Sequence, residues 1–287
     1  MSKTLSEVIV PAEFHFLKPI FDSSLIRVGS DFDGGYVVSH KLFSRTTKLI
    51  SIGYGWNSKF EKSVLRKYSS IEVQLFDDEA NLLSCLNPWY KFPRFFFGSL
   101  AHGKIVWLKD FYWYQPTLDF LRLYFQNWRR LKYRNLRIVS NPNKKKEIGI
   151  NQIILKQKLV ENIYLKIDIE GSEYEIIEEI VQAKHNILGI TIEFHDVSRR
   201  KQDFILAVKR LQSKFHINHI HPNNHRSVTD NFPDVIEISF ISKNEIEMTP
   251  TFRTHAYLDV DSPNNPSKTD YDLIFFDNVS DIGPGAK

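Results

Sequence analysis

At 287 residues the chain is long enough for one large domain with insertions or for two small ones. A hydrophobic share of 42% with 25% charged residues is an ordinary globular balance, and a net charge of only +4 argues against a dedicated nucleic-acid binder, which would gather charge on one face. The single cysteine, Cys85, excludes an intrachain disulfide; no apolar run approaches the ~20 residues of a membrane span, and Pro11 and Glu13 interrupt the N-terminal run before signal-peptide length, so a cytoplasmic chain is expected.

In chain order, Leu49–Ile52 is a short apolar strand that ends in a turn at Gly53 and Gly55, and Glu72–Phe76 is a second strand that ends at Asp77, Asp78 and Glu79. A segment at about 108–140 reads as an insertion. Phe111-Tyr-Trp-Tyr opens it, and Leu118, Leu121, Phe125 and Trp128 then share one helical face, followed by Lys132, Arg134 and Arg137. Such a face packs on a sheet, caps an acceptor site or touches an anionic or membrane-proximal surface. Tyr164–Glu170 and Leu188–His195 are the third and fourth strands. Between them Tyr174, Ile177 and Val181 recur at helical spacing, with Ser172 as a cap and Glu173 and Glu175 in the first turn. Phe215–His221 and Asp234–Ile241 form a late hairpin around the turn-rich stretch 222–233, and beyond Lys243 the pattern loosens into loops. Strands alternating with helices predict an α/β fold, a doubly wound, mostly parallel sheet closed by a C-terminal antiparallel hairpin. The expected organisation is an N-terminal extension (1–20), one catalytic domain (21–245) and a C-terminal extension (246–287).

Two regions carry chemistry. Glycines at 53 and 55 let the backbone turn sharply beside a ligand at a strand end. The third glycine of a dinucleotide fingerprint is Ser58 here, which disfavours pyrophosphate and leaves adenosine binding open. Asp77, roughly 20 residues beyond Gly55 at the end of the next strand, can accept hydrogen bonds from ribose hydroxyls. In the second region, strand alternation places Lys166, Asp168 and Glu170 on one face and, on the next strand, Thr191, Glu193 and His195. If these strands are neighbours, three carboxylates and an imidazole converge at the rim where α/β sheets bind ligands. The cluster suits a general base, a divalent metal (Mg or Mn) held by Asp168, Glu193 and His195, or an internal network with Lys166. Further along, His216, His219, His221 and His225 gather near Asn223 and Asn224. His219 and His221 share a strand face, no cysteine spacing supports a zinc site, and 222–226 reads as an acceptor-side loop.

The segment Leu165–Ile177, LKIDIEGSEYEII, resembles the signature of FkbM-type methyltransferases. Arg27-Val-Gly-Ser-Asp-Phe-Asp33-Gly34-Gly35-Tyr36, the Gly53/Gly55 turn with Phe60-Glu61, Phe76-Asp77, Glu193-Phe-His195, Asn223-Asn224 and Phe232–Glu237 are similar, in order, to stretches of a related methyltransferase-like group. The resemblance implies a Rossmann-like fold and methyl transfer from S-adenosylmethionine to oxygen, with a sugar or glycan hydroxyl as acceptor. It implies that Gly53, Gly55, Glu61 and Asp77 serve the cofactor, and that Asp168, Glu170, Glu193 and His195 face the acceptor. The 33–36 segment reads as a hairpin turn that can also reach the cofactor. A nucleotide-dependent oxidoreductase and a non-catalytic glycan- or nucleic-acid-binding module are the competing readings.

Overall fold

The computed structural model describes residues 5–55, 57–78, 118–229, 232–246 and 249–276. Cys85, the 111–114 aromatic run and Glu79 lie outside them.

Seven strands form the central sheet: β1 (Lys48–Ile52), β2 (Glu72–Phe76), β3 (Leu131–Arg134), β4 (Asn162–Ile167), β5 (Asn186–Phe194), β6 (Phe215–Pro222) and β7 (Ile236–Ser242). Their order is β3-β2-β1-β4-β5-β7-β6. Pairings from β3 through β5 are parallel, and β7 runs antiparallel to both β5 and β6. The order reverses between β1 and β4, so the chain leaves opposite ways from the carboxyl ends of these neighbours and opens a crevice there. The sheet is thus doubly wound and mostly parallel, with the antiparallel hairpin at its end.

Every residue of β1 and β7 is buried, as expected of strands covered on both faces. Period-two alternation sorts their side chains into two cores. Ile50, Ile52, Leu165, Ile167, Ile190 and Ile192 face one layer, which includes α3 (Glu173–Gln182) and α4 (Lys201–Gln212). Leu49, Val73, Leu75, Tyr164 and Leu188 face the other, with α1 (Lys59–Lys67). Helix α2 (Ile150–Leu155) joins the first layer. Phe204 of α4, wholly buried against Phe14, Phe194 and Phe232, is a keystone; truncating such a ring costs about 3–5 kcal/mol.

Three expectations need correction. The 108–140 insertion contains a sheet strand, β3, whose Leu-Lys-Tyr-Arg sequence gives the weak alternation of an edge. The helix there covers 118–127, but Phe120 and Leu123 are its buried residues, and Leu118, Phe125 and Trp128 are exposed. Phe120 sits between Tyr54 and Tyr133, ring centroids 5.0 and 5.2 Å away, and these partners select that face. Arg130 then donates to the carbonyls of Leu65 and Tyr68 at 2.6 and 2.9 Å, closing the end of α1. Finally, β4 stops at Ile167: Glu170 takes a left-handed backbone (φ 51°), so strand alternation does not reach it.

The flanking segments meet. Leu5–Ile9 pairs in parallel with Asp270–Ile274. Residues 249–276 also cover β6, where Asp261 faces His219 at 2.9 Å and Asp270 faces His221 at 3.1 Å.

Candidate active site

The crevice is built from two loops that lock together. Gly53 (φ 79°) follows β1, and a Cβ there would lie 1.5 Å from the carbonyl oxygen of Asp168, so the loops after β1 and β4 approach as only glycine permits. The Lys166 ammonium donates to the Gly53 carbonyl at 2.6 Å and crosses the same seam. At Gly55 (φ 51°) a Cβ would meet open space, and this residue lines the cavity. The carboxylate of Asp77, at the end of β2, accepts the backbone N–H groups of Tyr54 (2.7 Å) and Gly55 (3.0 Å), which sets the shape of the turn.

The rim cluster forms around His195. Its Nδ1 lies 2.9 Å from Oε1 of Glu173, a carboxylate with no exposure that also accepts the N–H groups of Ile169 and Gly171. Ser172 stands at the N-cap position of α3 without a side-chain bond, and Glu173 closes the turn in its place. On the other side of the ring, Nε2 faces Glu170 at 3.5 Å, Glu193 at 3.7 Å and Asp168 at 4.0 Å. The Tyr36 hydroxyl, brought in by the hairpin Leu25–Val28/Tyr36–Ser39, lies within hydrogen-bond distance of both Asp168 (3.0 Å) and Glu193 (3.3 Å). Lys166 donates to Asp168 at 3.3 Å and Asn223 to Glu193 at 2.7 Å.

Burial and crowding tune these groups. Burial pushes the Glu193 carboxyl well above its usual range, and the neighbouring charges of Asp168 and Glu237 push it further. Burial also raises the Tyr36 phenol, with Asp168 and Glu193 adding to it. For His195 burial works downward, but the bond to Glu173 and the charge of Glu193 outweigh it and lift the imidazole to about 9. Lys166 likewise overcomes burial through Asp168 and Glu61 and stays charged.

These residues line a cavity of ≈ 280 Å³ together with Asp33, Gly34, Asn57, His225 and Arg226. Asp168, Glu170, Glu193 and His195 therefore come together, and Gly55 borders the same space. Asp77 sits behind the turn. Glu61 lies elsewhere: 1% exposed, it accepts from Ser51 Oγ at 2.5 Å beneath β1, and its Oε2 has no hydrogen-bond partner among the described residues. Its first-turn position on α1 points inward, which its spacing from Phe60 did not reveal. The donor atoms within 4.8 Å of one another are those of Asp168, Glu170 and His195, so the metal set expected with Glu193 is regrouped. Glu170 is 86% exposed, and Lys166 and His195 balance the cluster's charge. The 222–226 loop contributes Asn223, His225 and Arg226 to the cavity, whereas His219 and His221 are sealed with their aspartates. Sequence reasoning did not place Glu173 in the site, although the carboxylate-rich LKIDIEGSE run was an available signal; Lys166 was expected as partner of an internal network, and Tyr36 only within a segment that can reach the cofactor.

Residues 112–238 match the family described as the methyltransferase FkbM domain, over less than half of the chain. The chain is methyltransferase-like. The match, on a doubly wound sheet of this order, gives the enzyme class: an S-adenosylmethionine-dependent methyltransferase. Among solved structures, a fibrillarin/Nop5p complex is similar at 12% identity and a TM-score of 0.37, covering 75% of this chain and 90% of that one. A predicted O-methyltransferase from Agrobacterium tumefaciens follows at 9% identity and 0.34, covering 77% and 90%. Precorrin-6y C5,15-methyltransferase from Geobacter metallireducens GS-15 is similar at 7% identity and 0.33, covering 71% and 86%. Likenesses this distant carry no argument about the acceptor. No curated protein matches the chain. Among the described residues no helix is long and apolar enough to cross a membrane.

Proposed function

We propose that the chain transfers a methyl group to a hydroxyl oxygen of a sugar or glycan, with His195 as proton acceptor. The observation that carries this is the imidazole itself: Nδ1 is anchored on buried Glu173 while Nε2 faces the cavity beside Asp168 and Glu193. A base oriented by a buried carboxylate and open on its other nitrogen is the arrangement that removes a proton from a bound hydroxyl.

The residues present fit the methyl donor. Gly55 leaves open space beside the cavity, and Asp33, Asp168 and Glu170 offer carboxylates that a cation can meet. S-adenosylmethionine, when bound, supplies an electrophilic methyl group on a positively charged sulfonium. Gly53 and Gly55 would shape the turn that receives the adenosine side, and Asp77, behind it, would hold that turn through the N–H groups of Tyr54 and Gly55. Asp168 sets negative charge around the reacting centre, and Glu193, its carboxyl raised by burial, offers a hydrogen-bonding neighbour. The acceptor hydroxyl would bind on the cavity side of Nε2, and its proton would pass to His195 as its oxygen takes the methyl and the C–S bond breaks, releasing the neutral thioether S-adenosylhomocysteine. With its pKa near 9, His195 is the stronger base but is mostly protonated at neutrality, so turnover rises with pH toward about 9. Asn223, Asn57 and His225 supply the hydrogen-bonding wall that a polyhydroxylated acceptor uses.

The test is a calorimetric titration with S-adenosylhomocysteine, with NAD as the parallel control. Micromolar binding that Asp77→Ala weakens supports the donor site. Binding of NAD without S-adenosylhomocysteine would favour the oxidoreductase reading instead. A screen of sugar acceptors for methyl incorporation, with His195→Ala as the inactive control, then tests the acceptor class.

A further inference from the structure

Beside the acidic cavity lies a second groove of opposite character. It has a volume of ≈ 560 Å³ and is lined by Gly29, Ser30, Lys59, Lys62, Ser63 and Arg66, with Lys67 at its end. Among the described residues, four cations and two serines line it, and no carboxylate does. On α1 these positions fall at spacings of three and four, so the cations form one exposed row over about 10 Å. The opposite face of the helix, Phe60, Val64 and Leu65, is buried in the core.

Local physics does not explain the row. Like charges three and four residues apart on a helix repel. Lys59 and Lys62 stand in the first turn, where the helix dipole also disfavours cations; only Arg66 and Lys67, at the other end, gain from it. Among the described residues, none of these four side chains forms an ion pair. A concave, unpaired cationic row that its own helix disfavours is what an anionic ligand recoups.

The groove and the acidic cavity share walls. The loop that joins the two hairpin strands lines the groove at Gly29 and Ser30 and the cavity at Asp33 and Gly34. The start of α1 does the same, with Lys59 on one side and Phe60 and Asn57 on the other. A molecule lying across this divide meets carboxylates at one end and ammonium and guanidinium groups at the other.

We propose that the groove is a phosphate subsite, and that the acceptor is a phosphorylated or nucleoside-diphosphate-linked sugar, its hydroxyl in the acidic cavity and its phosphates on Lys59, Lys62 and Arg66. The acceptor part rests on the methyltransferase reading; the anion subsite does not. In the cavity the cations Lys166, His195 and Arg226 stand among carboxylates, whereas the described residues lining the groove include no acid, so the groove is the better seat for the phosphates of such an acceptor.

The experiment titrates the full chain with inorganic pyrophosphate and with uridine diphosphate glucose at physiological salt. Three proteins are compared: wild type, Lys62→Gln/Arg66→Gln, and a control with two exposed lysines changed elsewhere, Lys145→Gln/Lys184→Gln. The expected result is pyrophosphate binding by wild type and the control, weakened at least tenfold in Lys62→Gln/Arg66→Gln, with the sugar nucleotide binding wild type tighter than pyrophosphate does. No pyrophosphate binding by wild type, or equal weakening in the control, would overturn the subsite. Equal affinity for pyrophosphate and the sugar nucleotide would overturn the acceptor assignment and leave a free-anion site. S-adenosylhomocysteine titrated into wild type reads the methyltransferase proposal separately, so failure of one is distinguishable from failure of the other.

Discussion

Two histidine–carboxylate groups stand on this sheet, and they use the same chemistry to opposite ends. At the end of β5, His195 is anchored by Glu173 but keeps Nε2 on the cavity, with three further carboxylates within 4.0 Å. On β6, His219 and His221 are enclosed: each meets one aspartate from residues 249–276, and neither lines the cavity. Both His195 and His221 are lifted to about 9 by carboxylates that outweigh burial. A raised histidine is therefore no mark of catalysis by itself. What separates the two is whether one ring nitrogen is left facing space that a ligand can fill.

Substitutions sharpen that contrast. The largest effect is expected from His195→Ala: turnover falls roughly 10³-fold, within the range for losing a general base, while S-adenosylhomocysteine affinity stays within a few fold. Unchanged turnover would remove His195 from the mechanism and collapse the distinction between the two histidines. Next is Asp270→Asn, which leaves His221 buried with its ion pair broken. It should cost about 3 kcal/mol of unfolding free energy in urea, with S-adenosylhomocysteine binding kept. A variant as stable as wild type would show that residues 249–276 are held by something other than these pairs.

Smaller is the pH effect. The folded pKa of His221 lies above its ordinary value, so its contribution to stability is full below about pH 6.5 and is lost as pH rises through about 9. Urea midpoints should therefore fall over that window, and less so in His221→Gln. Lowered His219 has the opposite sign, its contribution present above pH 6.5 and lost on acidification. A midpoint that rose between pH 6.5 and 9 would contradict the dominance of the raised histidines. The smallest effect belongs to Ser172→Ala, expected within about 0.5 kcal/mol because the hydroxyl makes no capping bond. A loss near 1 kcal/mol would show that it caps in solution after all.

Much of the fold was legible because period-two apolar runs were interrupted by clear turns, and the antiparallel end was legible from two late strands around one turn-rich segment. The rim cluster was legible because Asp168 and the pair Glu193/His195 sit at the ends of strands that prove adjacent. Tyr36 was legible only as part of a segment that can reach the cofactor; its bond to Asp168 spans 132 residues of sequence, which no local pattern reports. Glu173 was read only as an acid favouring a helix start, which it is, but its depth was not legible: it is wholly buried and bonds the turn and His195 at once. Phe125 and Trp128 misled because two faces of 118–127 are apolar, and only Tyr54 and Tyr133, from distant segments, decide which one is covered. The aspartates that enclose His219 and His221 sit in a stretch with no periodicity, where pattern carries no information about depth.

The parallel ribbon of Leu5–Ile9 with Asp270–Ile274 has a kinetic corollary. Its two halves are almost the whole chain apart, so during synthesis the first strand emerges long before its partner exists and must wait while the sheet assembles. Residues 249–276, made after all seven sheet strands, thus complete both the ribbon and the cover over β6. A chain cut short before Thr249 would keep all seven sheet strands and leave both His219 and His221 without their aspartates.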